Sequence, residues 1–323
     1  MRDQWGRSIE YLRISVTDRC NFRCVYCMPR EGLPWLPRAD ILSYEEITET
    51  VRQLAPLGLR KLRITGGEPT VRPGLANLVS MLRAVQGIED ISLSTNGVRL
   101  PAMARQLAAA GLDRVNISAD SLQPQRVASI ARRDLGFDLI RAATAAEEAG
   151  LLPIKVNMVV MRGINSDEIH DFAALTRSHP WHVRFIELMP VGDMRELTWE
   201  HVVPVTEILA ELSSDGDLEP DKSPVSGNGP ARYYRYAGAP GSVGVITPMS
   251  HSYCELCNRV RLTADGRLRT CLFGNHEVNL RDALRSGEAL ESLFVRALAE
   301  KPRSHSLLEM KVGGLKALSQ VGG

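Results

Sequence analysis

Six cysteines in a chain of 323 residues fall into two sets of three, Cys20, Cys24 and Cys27 near the start and Cys254, Cys257 and Cys271 near the end. None is left over. Disulfides are a poor explanation, because the chain is long, is expected to be cytosolic and has ample apolar residues for a core. Buried cysteines acting as small hydrophobes do not gather in spaced triplets. Thiolate ligation of a metal is the better reading. Structural zinc takes four protein ligands, and no histidine lies near the first triplet in sequence. Three thiolates suit a four-iron cluster with one iron left open to a further ligand. Near the second triplet, His251 and His276 keep a Cys3His zinc site open as an alternative.

The elements that must position these groups follow from the pattern of the chain. Ser43-Tyr44-Glu45-Glu46 is a capping box that opens a helix through residue 57. Strands are predicted at 9–16, 60–65, 90–95, 113–119, 153–160 and 182–188, with helices at 75–85, 101–110, 136–149 and 166–177. Six βα-type units of this kind make a parallel sheet with helical crossovers. Ligands of such folds bind where the strands end. Polar residues stand there: Thr65-Gly66-Gly67-Glu68, Ser94-Thr95-Asn96, Ser118-Ala119-Asp120, Lys155-Val156-Asn157 and Glu187-Leu188-Met189. The Gly pair is read as allowing close backbone approach to a ligand, and Glu68 as a partner for an ammonium.

Beyond residue 190 the pattern changes. A helix at 204–213 precedes a Ser-, Pro- and Gly-rich connection at 214–231. A strand, turn and strand follow at 233–247, then a hairpin turning at Asp265-Gly266, and helices at 280–286 and 289–300. The expected division is 1–213 and 214–323. Arg259 and Arg261 alternate on a strand directly after a cysteine, so both face one side and suit phosphate oxygens. Lys155, in an otherwise apolar strand, needs an anionic partner.

Lys plus Arg is 39 against 38 for Asp plus Glu, a formal charge of +1, which gives no general reason to expect nucleic-acid or membrane binding. No apolar run reaches the roughly 20 residues that span a bilayer, and a cytoplasmic location is expected.

Cys20-x3-Cys24-x2-Cys27, with Tyr26 before the last cysteine, together with Gly66-Gly67-Glu68-Pro69, resembles the signature of the radical S-adenosylmethionine (SAM) enzymes. The second triplet, Asn258-Arg259-Val260-Arg261-Leu262-Thr263 and the Gly322-Gly323 terminus narrow the resemblance to the GTP 3′,8-cyclase family of molybdenum cofactor biosynthesis. The resemblance implies an α/β fold, an incomplete (β/α)6 TIM-type barrel with a smaller C-terminal region carrying a second Fe–S cluster, and a homodimer. It implies two [4Fe–4S] clusters, on Cys20, Cys24 and Cys27 and on Cys254, Cys257 and Cys271. SAM contacts fall to Tyr26, Gly67, Ser118 and Met189. GTP contacts fall to Arg13, Arg63, Ser94, Lys155, Arg259, Val260 and Arg261, with Thr95 the alternative to Ser94. Catalytic roles fall to Arg13, Arg259, Arg261, Gly322 and Gly323. In the implied reaction a 5′-deoxyadenosyl radical removes the C3′ hydrogen of GTP, and C3′ then bonds to C8 of guanine. The implied partners are GTP, a reductant such as flavodoxin or ferredoxin, and the cyclic pyranopterin monophosphate synthase downstream. Competing readings are a radical SAM enzyme acting on a peptide, and a non-enzymatic Fe–S or zinc protein.

Overall fold

The structure is a computed structural model and describes residues 1–189, 197–223, 225, 227, 229–274, 276–305 and 318–321. Its strands are β1 (Tyr11–Ser15), β2 (Lys61–Thr65), β3 (Asp90–Thr95), β4 (Arg114–Ser118), β5 (Lys155–Val160), β6 (His182–Glu187), β7 (Leu218–Pro220), β8 (Arg232–Tyr236), β9 (Ser242–Ile246), β10 (Arg259–Leu262), β11 (Arg267–Arg269) and β12 (Glu277–Asn279). The helices are α1 (Tyr44–Leu54), α2 (Leu75–Arg83), α3 (Leu100–Ala109), α4 (Pro124–Ala131), α5 (Leu139–Glu148), α6 (Ile169–Ser178), α7 (Val205–Ser214), α8 (Arg281–Ser286) and α9 (Glu291–Ala299).

β1 to β6 pair in parallel in chain order. The helices between them cover one face with a core that includes Leu12, Ile14, Leu62, Ile64, Ile91, Leu93, Val115, Ile117, Val156 and Met158. The capping box opens α1 as expected: the Glu46 amide donates to Ser43 Oγ at 3.1 Å and the Ser43 amide to Glu46 Oε2 at 2.7 Å. The C-terminal part does not form a sheet of its own. β9 extends the sheet in parallel beyond β6, and β10 does so beyond β1, giving the order β12-β11-β10-β1-β2-β3-β4-β5-β6-β9-β8-β7. The hairpin of β10 and β11 is the one predicted, with Gly266 at φ +78° in its turn. Helix α4 and strands β7 and β12, eight, three and three residues long, were not foreseen.

The sheet is curled. Side chains on β2 and β6 act on one another: burial lowers the basicity of Arg63, and Arg184 and Arg114 lower it further against the opposing effect of Tyr11. On a flat sheet β2 and β6 would stand about 19 Å apart, at ~4.8 Å per strand. Among the described residues no ladder closes the ring. This is an α/β fold with an incomplete barrel.

Glu187, at the end of β6, ties the two halves of the sequence together. It accepts hydrogen bonds from the amides of Val205 (2.8 Å), Met249 (2.9 Å) and Ser250 (2.9 Å), and from the Ser250 hydroxyl. Hydrogen bonds to a charged acceptor are each worth roughly 1.5–3 kcal/mol. Glu187→Gln replaces one acceptor oxygen by a donor, so denaturant unfolding is expected to show a loss of about 2–3 kcal/mol. A change within about 0.5 kcal/mol, the range of ordinary surface substitutions, would contradict this role.

Candidate active site

The first triplet lies in the loop that follows β1, and that loop is fixed from three sides. The amides of Gly67 and Glu68 donate to the carbonyls of Thr17 (2.7 Å) and Arg19 (2.8 Å). Asn96 Nδ2 donates to Asn21 Oδ1 at 2.7 Å. The amides of Arg23 and Val25 donate to the carbonyls of Ala131 (2.8 Å) and Ile130 (3.0 Å) at the end of α4. Two of the strand-end residues also act within the chain. The close approach permitted by Gly66-Gly67 is to this chain's own residues 17–19: a Cβ on Gly67 would stand 2.2 Å from the Arg19 carbonyl oxygen. Glu68 also has partners within the chain. It is buried and accepts from Thr70 N (3.1 Å), Thr70 Oγ1 (2.5 Å), Thr95 Oγ1 (2.7 Å) and Asn96 N (2.7 Å).

All six cysteines are free thiols. Burial pushes the Cys20 thiol up to about 12, the Phe22 amide opposes this, and Glu68 and Cys27 add to it. Cys24 is raised by burial and then by Asp120, Cys27 and Cys20. The three sulfurs therefore lie near one another in a place that disfavours thiolate without a cationic partner, which is what iron supplies. The Phe22 amide already donates to Cys20 Sγ at 3.4 Å. Beside them is a cavity lined by Cys24, Tyr26, Asn96, Ser118, Asp120 and apolar residues including Phe22, Val127, Ile130 and Phe137. Its mix of apolar walls with a few polar groups is the lining an organic cofactor requires. Tyr26 donates to Asp120 Oδ2 at 2.7 Å, and burial raises Asp120 to about 6 against the Tyr26 and Val159 hydrogen bonds.

The second triplet brackets the start of β10 and the end of β11. Here the charge balance is the opposite. Burial raises Cys257, but Arg259 and Lys301 outweigh it and bring the thiol to about 7. His276 is engaged with Glu300, Nε2 to Oε2 2.5 Å, and His251 is exposed, so neither is gathered with these cysteines as the zinc alternative requires. Among the described residues no three His, Cys, Asp or Glu side chains form a group able to hold a single metal ion. Met189 and Met249 pack with Cys271, Leu272 and Leu318 around Phe273.

Between the triplets runs the lumen. Leu12, Ile14, Leu62 and Ile64 face the helices, so their neighbours Arg13 and Arg63 face inward. Register places Arg13 beside Arg63 and Arg261. Burial lowers Arg13 well below its ordinary range, and Arg261 and Arg63 lower it further. Burial and then Arg259 bring Arg261 to about 10. Lys155 falls to about 6, first through burial and then through Arg184, Arg114 and Arg63. Arg63 donates to Ser92 Oγ (3.3 Å), Arg184 to Asn116 Oδ1 (2.7 Å), and Arg114 pairs with Asp90. Ser94 lies on the lumen side, whereas Thr95 points away to Glu68. Val260 is buried in the core on the opposite face from Arg259 and Arg261. Gly322 and Gly323 lie outside the described residues. Arg114, Asn116 and Arg184 were missed as lumen residues. Their signal was present: strands buried on both faces should read as continuous apolar runs, yet RVNIS and HVRFIE alternate.

Residues 14–176 match the radical SAM superfamily, and residues 181–307 match the family described as Molybdenum Cofactor Synthesis C. The chain is 47% identical over 326 residues to the GTP 3′,8-cyclase of Moorella thermoacetica and 45% identical over 327 residues to that of Heliobacterium modesticaldum, covering 100% of both chains in each case. It belongs to the GTP 3′,8-cyclase family. Streptococcus suis SuiB, a solved structure, shares the fold of this cyclase family member at a TM-score of 0.63 and 12% identity, covering 96% of this chain and 76% of SuiB. No described helix of this GTP 3′,8-cyclase family chain is long and apolar enough to cross a membrane.

The contact between Gly67 and residues 18–19 gives a direct test. Gly67→Ala must push the Cys20 loop away, an overpacking that costs about 1–3 kcal/mol. The variant is expected to hold less iron at the first triplet and to cleave SAM poorly, read by iron analysis and by 5′-deoxyadenosine release. Full iron content and full cleavage would contradict it.

Proposed function

We propose that the cationic lumen seats the triphosphate and ribose of GTP, and that the cavity beside Cys24 seats SAM. The chain is a radical SAM enzyme that converts GTP to (8S)-3′,8-cyclo-7,8-dihydroguanosine 5′-triphosphate, the first step of molybdenum cofactor biosynthesis, with SAM and [4Fe–4S] clusters as cofactors. The observation that carries the site assignment is the crowding of Arg13, Arg63, Lys155, Arg184 and Arg261, from five strands, inside one curled sheet. A polyanion relieves that repulsion.

In this reading Cys20, Cys24 and Cys27 hold the first cluster, and Cys254, Cys257 and Cys271 the second. When bound, the first cluster and SAM supply the electron and the radical that starts the reaction on GTP. The chain's own residues do the positioning. Tyr26, fixed by Asp120, and Ser118 line the SAM cavity, while Gly67 holds the cluster loop and Met189 borders the second triplet. Arg13, Arg63, Ser94, Lys155, Arg259 and Arg261 face GTP, and Arg184 joins them. Val260 contributes through the main chain. Residues 1–213 form the radical-generating part and 214–323 the auxiliary-cluster part, with catalytic roles for Gly322 and Gly323. A flavodoxin or ferredoxin supplies electrons, the product passes to a cyclic pyranopterin monophosphate synthase, and the enzyme acts as a cytoplasmic homodimer.

Anaerobic incubation of the reconstituted protein with SAM, dithionite and GTP is expected to yield 5′-deoxyadenosine and the cyclised nucleotide. Arg261→Met should weaken GTP binding by at least tenfold, since a charge-assisted contact is worth about 1.5–3 kcal/mol, and leave SAM binding unchanged. Unaltered GTP affinity would remove the lumen from the substrate site.

A further inference from the structure

A cation stands behind the second triplet. Lys301 is 1% exposed and among the largest fully buried side chains. Its Nζ donates to Cys257 Sγ at 3.6 Å, to the Arg259 carbonyl at 2.9 Å and to the Thr270 carbonyl. The three acceptors flank the second triplet: one is a cysteine ligand, one is two residues beyond it, and one directly precedes Cys271. No carboxylate among the described residues forms an ion pair with Lys301.

The main chain at this point is held as firmly. The Lys301 carbonyl accepts from Trp5 Nε1 at 2.8 Å and from Gln4 Nε2 at 3.1 Å. Arg7, fixed by Asp3 at 2.6 Å, donates to the carbonyls of Pro302 (2.7 Å), Arg303 (2.9 Å) and Cys254 (2.8 Å). The N-terminal segment thus clamps residues 301–303 to the cysteine loop, and the ammonium has one direction in which to point.

A buried ammonium needs negative charge close by. Three thiolates around a doubly positive four-iron core carry a net charge of about −1, and one more negative charge on reduction. An N–H donated to a ligand sulfur favours the more negative, reduced state, and hydrogen bonds to the sulfurs are among the protein's means of setting such potentials. We propose that Lys301 is a positioning residue of the second cluster, whose ammonium holds the Cys257 sulfur and raises the cluster's reduction potential. This rests on the reading that Cys254, Cys257 and Cys271 hold a [4Fe–4S] cluster.

The test uses the full chain with Cys20, Cys24 and Cys27 changed to Ala, so that one cluster remains. Uptake of about four irons by this protein secures the underlying reading, and its failure to bind iron would sink that reading separately. Potentiometric titration followed by electron paramagnetic resonance then compares Lys301 with Lys301→Met and Lys301→Arg. The Met variant, similar in volume, is expected to be about tenfold harder to reduce, which for one electron is roughly 59 mV. The Arg variant should stay within about threefold, or ~30 mV, of the parent. An unchanged potential in the Met variant, or an equal drop in both, would overturn the proposal. Should the Met variant fail to fold, lysine-15N labelling of the unaltered lysine decides: a nitrogen hyperfine coupling to the reduced cluster is expected, lost in Lys301→Arg, and its absence would equally overturn the proposal.

Discussion

Like charges buried together are the constraint on which this structure turns. Arg13, Arg63 and Arg261 stand side by side in register on adjacent strands, and Lys155 and Arg184 approach them across the lumen. A TIM-type barrel ordinarily fills its interior with branched apolar side chains. Here the apolar core lies outside the ring, between strands and helices, and must hold the ring together against repulsion within. Inside, Asp90 pairs with Arg114, and Ser92 and Asn116 accept from Arg63 and Arg184. In the proposed reading, an anionic ligand adds opposite charge to this lumen.

The clusters' cysteines sit in contrasting electrostatic surroundings. Around the first triplet, burial, Glu68 and Asp120 resist thiolate formation, so iron must supply the positive charge. Around Cys257, Arg259 and Lys301 already supply it. The first loop is held by main-chain contacts to the Gly66-Gly67 turn and to α4, the second by the N-terminal clamp through Arg7. Each loop is thus tied to the rest of the fold through its main chain.

Much of this was legible in the sequence because it rests on local signals. Period-2 apolar runs located β1 to β6, Ser43 and Glu46 announced α1, and the Asp265-Gly266 turn announced the hairpin of β10 and β11. The cysteine spacing identified the chemistry. What was not legible depended on long-range pairing. Nothing local tells β9 to lie beside β6 or β10 beside β1. Glu68 read as a ligand group because its four donors come from Thr70, Thr95 and Asn96, and only folding brings the last two to it. Arg184 and Asn116 were passed over singly, though together their alternation marked an inward polar face. Lys301 carried no motif at all; its role follows from burial beside Cys257.

The account stands on the claim that the lumen cations are held in a suppressed state until a polyanion arrives. Lys155 is lowered to about 6 by burial and by Arg184, Arg114 and Arg63, so at pH 8 it is largely neutral, and bound phosphates must draw a proton onto it. At that pH the terminal phosphate of GTP is already ionised, its own pKa being about 6. Isothermal titration calorimetry of GTP binding at pH 8, in buffers of different ionisation enthalpy, measures the proton count directly. The account predicts uptake approaching one proton per GTP, vanishing in Lys155→Met. Binding of GTP by the unaltered chain with no proton uptake at pH 8 would contradict it.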